Sequence, residues 1–310
     1  MSRWLVRHHR GFDVIHVHGV WGLGAITVLA LKPFALWNLV ITPHATLSRS
    51  DFETSSSALT KVVKKLLRHV IARWADLVVF ASEIELVDSA MGSSVSQVVV
   101  PHAVVDEREP TVPSESRDST GLTLGFLGRF HPTKNLDLVI QALPQLPSHV
   151  ALVIGGEGSD EAELCVRRTI EASGVDDRVE LRGFLDAEQK SQFFRELDLL
   201  VMPSQHENFG MAAAEALAAG VPVVVTPLTG LAPLVAATGA GTVVRASSPD
   251  LVRALRLFAD DEQVRSGWKD GALRGAAQHL TFEKYGKAIL EVYRRNGEEP
   301  PYAKAGASLV

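Results

Sequence analysis

Short apolar runs bounded by turn residues alternate with stretches whose apolar positions recur at helical spacing, along nearly the whole chain. The short runs lie near Asp13–His18, Leu39–Pro43, Asp76–Ala81 and Gln97–Pro101, and again near 122–130, 150–155, 178–184, 198–202, 222–226 and 241–245. Runs apolar almost throughout suit strands buried on both faces, and their alternation with helices predicts an α/β protein built on doubly wound parallel sheets. Between the two series stands DEREPTVPSESRDSTG, whose charge, Pro, Ser and Thr mark a linker. The expected organisation is a first α/β domain over 1–105, a linker over 106–121, a second α/β domain over 122–280, and a closing helix with a tail over 281–310. That helix, Thr281–Arg295, sets Phe282, Tyr285, Ile289, Leu290 and Tyr293 along one side.

Composition narrows the class. At 46% apolar residues, 310 residues can bury about two cores, and no segment has the composition of a wholly disordered chain. A net charge of −5 argues against a nucleic-acid binder, which carries a strongly basic domain. One cysteine, Cys165, excludes an intramolecular disulfide and fits a cytoplasmic setting. MSRWLVRHHRGF lacks the apolar core of a signal peptide. The apolar stretch Ala25–Ile41 is broken by Lys32, Pro33 and Asn38, so it reads as helix, turn and strand rather than a membrane span. Thr60–Trp74 puts Lys61, Lys64, Lys65 and Arg68 on one side of a helix and Val62, Val63, Leu66, Val70 and Ile71 toward another. Such a helix either covers a sheet, the preferred reading, or lies peripherally on the inner membrane surface.

The densest chemistry is in HENFGMAAAEALAAGVPVVVT, His206–Thr226. Asp198–Ser204 reads as a buried strand, Phe209–Ala219 as a helix of strong helix formers stopped by Gly220 and Pro222, and Val223–Thr226 as the next strand. Free N–H groups at the helix start, near Phe209, Gly210 and Met211, form an anion site with the helix dipole, and Gly210 admits close approach of a phosphate. Glu207 and Glu215 stand eight residues apart. The ~100° helical step sets them about 80° apart, so both border one cleft.

This segment resembles the E-x7-E signature of the retaining glycosyltransferases of the GT-B fold, family four, also called glycosyl transferases group 1. The resemblance implies two Rossmann-like domains. It also implies contact of Glu207 with hydroxyls of the donor sugar and of Glu215 with the ribose of a nucleotide. A second motif agrees: LTLGFLGRF, Leu122–Phe130, precedes HPTKNLDLVIQAL and places Arg129 and Lys134 at the turn. In the family an Arg and a Lys here hold the donor diphosphate and neutralise charge on the leaving nucleotide. No Asp-x-Asp motif is present, so neither a metal nor another cofactor is expected. ALVIGGEGS, Ala151–Ser159, is a weaker signal, since a tight turn explains Gly155, Gly156 and Gly158 as well as a nucleotide wall does. Family members read the base near the segment matching Arg182-Gly183-Phe184.

The donor-binding candidates are thus Glu215, Asn208, Phe209, Gly210, Met211, Gly128, Gly156 and Phe184, and the catalytic ones Glu207, Arg129, Lys134 and His44. The resemblance implies a UDP-, GDP- or ADP-sugar as donor and a hydroxyl of a glycan, glycolipid or lipid-linked sugar as acceptor, as in polysaccharide biosynthesis. Transfer with retention implies front-face displacement, in which the leaving phosphate takes the acceptor proton.

The first series departs from the family pattern. It lacks the early strands and Gly-rich loop that relatives carry, so the N-terminal domain reads as incomplete. The readings are a late start codon, a partner chain that supplies the missing part, or a degenerate relic. A non-catalytic or partner-dependent nucleotide-sugar-binding subunit is the alternative function, and an epimerase of the same fold a weaker third. DVIHVHGVW places His16 and His18 on one strand face, without an evident third metal ligand. His44 matches a family His beside the donor sugar, though Ala45 stands where Gly or Asp is usual. Pro101-His102-Ala103 likewise replaces Pro-Asn-Gly.

Overall fold

The computed structural model describes residues 2–48, 57–89, 91, 95–106 and 121–294. The described residues divide into two compact units, one of those up to His102 together with Tyr285–Arg294, the other of those within Ala103–Lys284. Most of the expected linker, 107–120, and the tail from 295 lie outside the described residues.

The first unit contains α1 (Ser2–His8), β1 (Val14–His18), α2 (Leu23–Leu31), β2 (Asn38–Thr42), α3 (Ala58–Trp74), β3 (Leu77–Phe80), α4 (Glu83–Ser89) and β4 (Ser96–Val99). Its strands pair in parallel in the order β1-β2-β3-β4. Period-two alternation sorts the side chains to two faces. Leu39, Ile41, Val78 and Phe80 share one core with Val28, Leu29 and Ile71 of the helices. Val40, Val79 and Val98 face the C-terminal helix, Phe282–Arg294, through Ile289, Tyr285 and Tyr293. The expected five-residue stripe of that helix is corrected to these three with Ala288 and Val292, because Phe282 and Leu290 are about half exposed. Leu290 falls one ~100° step off the stripe.

The basic helix α3 departs from simple core packing. Ile71 is buried and Lys64, 7% exposed, lies with its Nζ 5.8 Å over the Trp21 ring. Leu59, Val62, Val63 and Leu66, at i, i+3, i+4 and i+7, are instead 45–72% exposed. No helix among the described residues is long and apolar enough to cross a membrane.

The second unit runs β5 (Leu122–Leu127), α5 (Leu136–Ala142), β6 (Val150–Gly155), α6 (Asp160–Ser173), β7 (Val179–Gly183), α7 (Ala187–Arg195), β8 (Leu199–Met202), α8 (Met211–Ala218), β9 (Val223–Val225), α9 (Ala232–Thr238), β10 (Gly241–Val243), α10 (Ser248–Asp260) and α11 (Glu262–His279). Local signals set these helices. Ser159 accepts from Ala162 N and Gly174 closes α6 at φ +62°, while Asp186 and Gln189 form a capping box on α7. Six parallel strands follow the order β10-β9-β8-β5-β6-β7. Every residue of β8 and β9 is buried, as a doubly covered parallel sheet requires. The chain goes outward from β5 through β6 to β7, returns by α7, and goes outward again from β8. The order therefore reverses between β5 and β8, and a crevice opens at their carboxyl ends, where doubly wound sheets take ligands.

Candidate active site at the β5–β8 switch point

The loops leaving β5 and β8 are tied together across that crevice. After Arg129, residues Pro132–Lys134 form a 3-10 turn, started by His131 Nδ1 accepting from Thr133 N and ended by Asn135 at φ +51°. Asn135 Nδ2 donates to Pro203 O (2.8 Å), and Gln205 N donates to Thr133 O (2.8 Å). This scaffold presents the Lys134 ammonium to the Glu207 carboxylate, and Ser204 Oγ donates to the same oxygen, Oε1, at 3.2 Å. The two side chains are 21% and 19% exposed, so the pair is partly desolvated yet reachable from the crevice. Glu207 is held from its other side as well: its N donates to Leu228 O (2.9 Å) and its O accepts from Gly230 N (2.9 Å). Arg129 is exposed and makes no hydrogen bond or ion pair among the described residues, leaving a cation at the mouth of the crevice.

Helix α8 starts at Met211, two residues later than the apolar pattern predicts. Gly210, at φ +96°, breaks the helical path, so Glu207 lies on a loop bridged to Thr229 and the 80° helical angle does not apply. A Cβ on Gly210 would come within 3.0 Å of Met202 and Thr229, and no side chain caps the helix, so its first N–H groups stay open to a ligand. Phe209 is buried beside this start, and His206 Nε2 lies 3.0 Å from Asn208 Oδ1. Glu215, one turn into α8, takes Lys190 of α7 on both carboxylate oxygens, each at 2.9 Å. Lys190 was not legible as a site residue, since nothing local in AEQKSQFF marks a lysine that meets a glutamate 25 positions later.

The glycine turn has a packing reason of its own. Gly156 sits at φ +124°, and a Cβ there would lie 1.9 Å from Gly128 O; at Gly158 a Cβ would meet Ala162 and Phe130 at 2.9 Å. Gly128 N donates to Gly155 O (3.1 Å) and Phe130 N to Glu157 O (2.8 Å), so the glycines let the turns after β5 and β6 touch. Phe184 is 67% exposed just beyond Gly183, whose O accepts from Gly156 N (2.7 Å).

In the first unit His44 and Ala45 both take left-handed backbone, φ +49° and +72°. The buried carboxylate of Glu85 holds this turn by accepting from Ala45 N (2.6 Å) and Ala81 N (2.7 Å). His18 Nδ1 lies 3.1 Å from His44 Nε2, and the His44 ring stacks on His102 with centroids 5.3 Å apart. His16 is 2.7 Å from Tyr293 Oη and 2.8 Å from Thr42 Oγ1. Burial, then the neighbouring imidazoles His18 and His44, push His16 down to about 4; burial, then His44 and His18, do the same to His102. The His18 and His44 rings stack and those of His16 and His18 tilt by 32°, and no group of three or more His, Cys, Asp or Glu suited to a metal occurs among the described residues.

The family model described as glycosyl transferases group 1 matches residues 107–274, more than half of the chain. A D-inositol 3-phosphate glycosyltransferase of Corynebacterium urealyticum is 28% identical over 312 residues, covering 93% of this chain and 72% of that protein. One from Streptomyces coelicolor is 35% identical over 188 residues, 55% of this chain and 41% of its own length. The chain spans about half the length of the similar proteins from Xylanimonas cellulosilytica (52%) and Jonesia denitrificans (51%). Among solved structures, Anabaena Alr3699/HepE in complex with UDP aligns with TM-score 0.78 at 20% identity, over 94% of this chain and 81% of that one. Sucrose-phosphate synthase of Thermosynechococcus elongatus aligns with TM-score 0.76 at 21% identity, over 94% and 76%. At such identities these structures speak to fold alone, which is GT-B. The sequence match covers every strand of the second unit and both loops of its crevice, and on it this chain belongs to the glycosyl transferases group 1 family.

Proposed function

We propose that the chain moves a sugar from a nucleoside diphosphate sugar to a hydroxyl acceptor with retention of anomeric configuration, taking a glycan, glycolipid or lipid-linked sugar as acceptor. The observation that carries this reading is the Lys134–Glu207 pair at the reversal of strand order, with the exposed Arg129 on the loop after β5 and the uncapped start of α8 after the loop of Glu207. Positive elements on the two loops that carry this carboxylate suit a diphosphate joined to a sugar. Arg129, Lys134 and the α8 N–H groups neutralise the leaving phosphate, while Glu207 accepts from sugar hydroxyls. Glu215 accepts from the ribose, and Phe184 and the Gly156 turn flank the base. The UDP complexes of HepE make UDP the first nucleotide to try.

The test is calorimetry of the chain with UDP, GDP and ADP and their sugar conjugates, followed by a transfer assay whose product linkage is read by NMR. Glu215→Ala is expected to lose roughly 10- to 150-fold in nucleotide affinity, as for a hydrogen bond to a charged group. An inverted anomeric centre in the product overturns retention, and wild-type affinity in Glu215→Ala overturns the site.

We also propose that α3 rests on an anionic membrane surface, which would bring a lipid-linked acceptor near. Its exposed apolar stripe stands beside Lys61 and Lys65 on a helix that carries no acidic residue.

A further inference from the structure

The Glu215 carboxylate carries about four acceptor positions, and Lys190 uses one on each oxygen. Among the described residues it has no other hydrogen bond, so one position on each oxygen remains. Two acceptor positions side by side on a planar group match two neighbouring hydroxyls. The lysine that fixes this plane is itself fixed. It lies one turn into α7, whose start is locked by the Asp186–Gln189 capping box, and its own N donates to Asp186 O (2.8 Å). Both helices leave carboxyl ends of strands, and α7 is the crossover that creates the switch point. At 34% and 28% side-chain exposure the pair is partly withdrawn from water, so its geometry is worth more than that of a surface ion pair.

We propose that Lys190 is a positioning residue of the donor site: it turns and holds the Glu215 carboxylate so that both oxygens face the vicinal hydroxyls of a ribose, and thereby sets preference for ribonucleotides. This rests on the reading of Glu215 as the ribose acceptor given above. Without Lys190 the carboxylate rotates freely about its side-chain bonds and regains water, and the second hydroxyl loses most of its discriminating value.

The experiment compares the affinities of UDP and 2′-deoxy-UDP by calorimetry, with GDP and ADP and their deoxy forms beside them, in wild type, Glu215→Ala, Lys190→Met and Lys190→Arg. Wild type is expected to prefer the ribonucleotide by about tenfold or more, the value of a hydrogen bond to a charged acceptor. Lys190→Met should reduce the preference to less than about threefold, and Lys190→Arg should restore it, since a guanidinium also donates to both oxygens. A ribose preference lost in Glu215→Ala but intact in Lys190→Met overturns the role of Lys190 and leaves the ribose reading standing. A preference unchanged in Glu215→Ala overturns the ribose reading itself. Should Lys190→Met fail to fold by circular dichroism, Lys190→Gln is measured in its place.

Discussion

The ammonium of Lys134, on the turn after β5, meets Oε1 of Glu207, on the loop after β8, and so joins the two strands between which the sheet order reverses. Each side chain holds the other's charge in a crevice partly closed to water. Lys134→Ala or Glu207→Gln is therefore expected to cut transfer by roughly 10²- to 10³-fold, the effect of removing one preorganised charge partner. Initial rates on donor and acceptor at saturation check this; rates within about threefold of wild type would remove the pair from the reaction.

Gly156 and Gly267 make a contrasting pair. Gly156 has positive φ and a Cβ path blocked by Gly128 O, whereas Gly267, within α11, has nothing within 4 Å. Gly156→Ala is predicted to cost about 3 kcal/mol or more through strain and overlap. Gly267→Ala should add about 0.5–1 kcal/mol by restricting the unfolded chain. Urea unfolding of both variants decides, and equal effects would mean that the turn at 156 is not as tight as described.

The imidazole row predicts acid sensitivity. His16 and His102 are lowered from 6.5 to about 4 on folding, so between these values the unfolded chain binds protons that the folded chain does not. Stability is then complete above about 6.5, falls as pH drops toward 4, and takes no further loss from these groups below that. His102→Gln should make the slope of unfolding free energy against pH shallower by about one proton within this window. A slope identical to wild type refutes the assignment.

For α3, flotation with phosphatidylcholine vesicles, with and without phosphatidylglycerol, tests the surface reading. Binding should require the anionic lipid and weaken as salt screens the lysines. Val62→Glu with Leu66→Glu should reduce it by at least about tenfold, since each buried apolar side chain is worth roughly 1.5–3 kcal/mol. Equal binding by the double variant would exclude this helix as the contact.

Much of the fold was readable because its signals are local. The strands come out within a few residues of their predicted runs, since continuous apolar segments such as DLLVM and VPVVV serve only a doubly covered sheet. The motif carboxylates and cations were readable by residue type. The start of α8 was misplaced because Phe209 and Met211 continue a helical pattern that Gly210 interrupts through its backbone. On α3 spacing names an apolar face but not what it meets: Val70 and Ile71 pack on the core, whereas Val62, Val63 and Leu66 stay exposed and Lys64 turns inward.

By itself the sequence determined the element types, the parallel α/β class and the chemical kinds present at the site, because periodicity, caps and residue chemistry act over a few positions. Only the tertiary structure decided that Lys134 meets Glu207 across 73 residues and Lys190 meets Glu215 across 25. Those meetings depend on the order in which β5 and β8 pair, which no local pattern encodes and which the burial of both sheet faces selects.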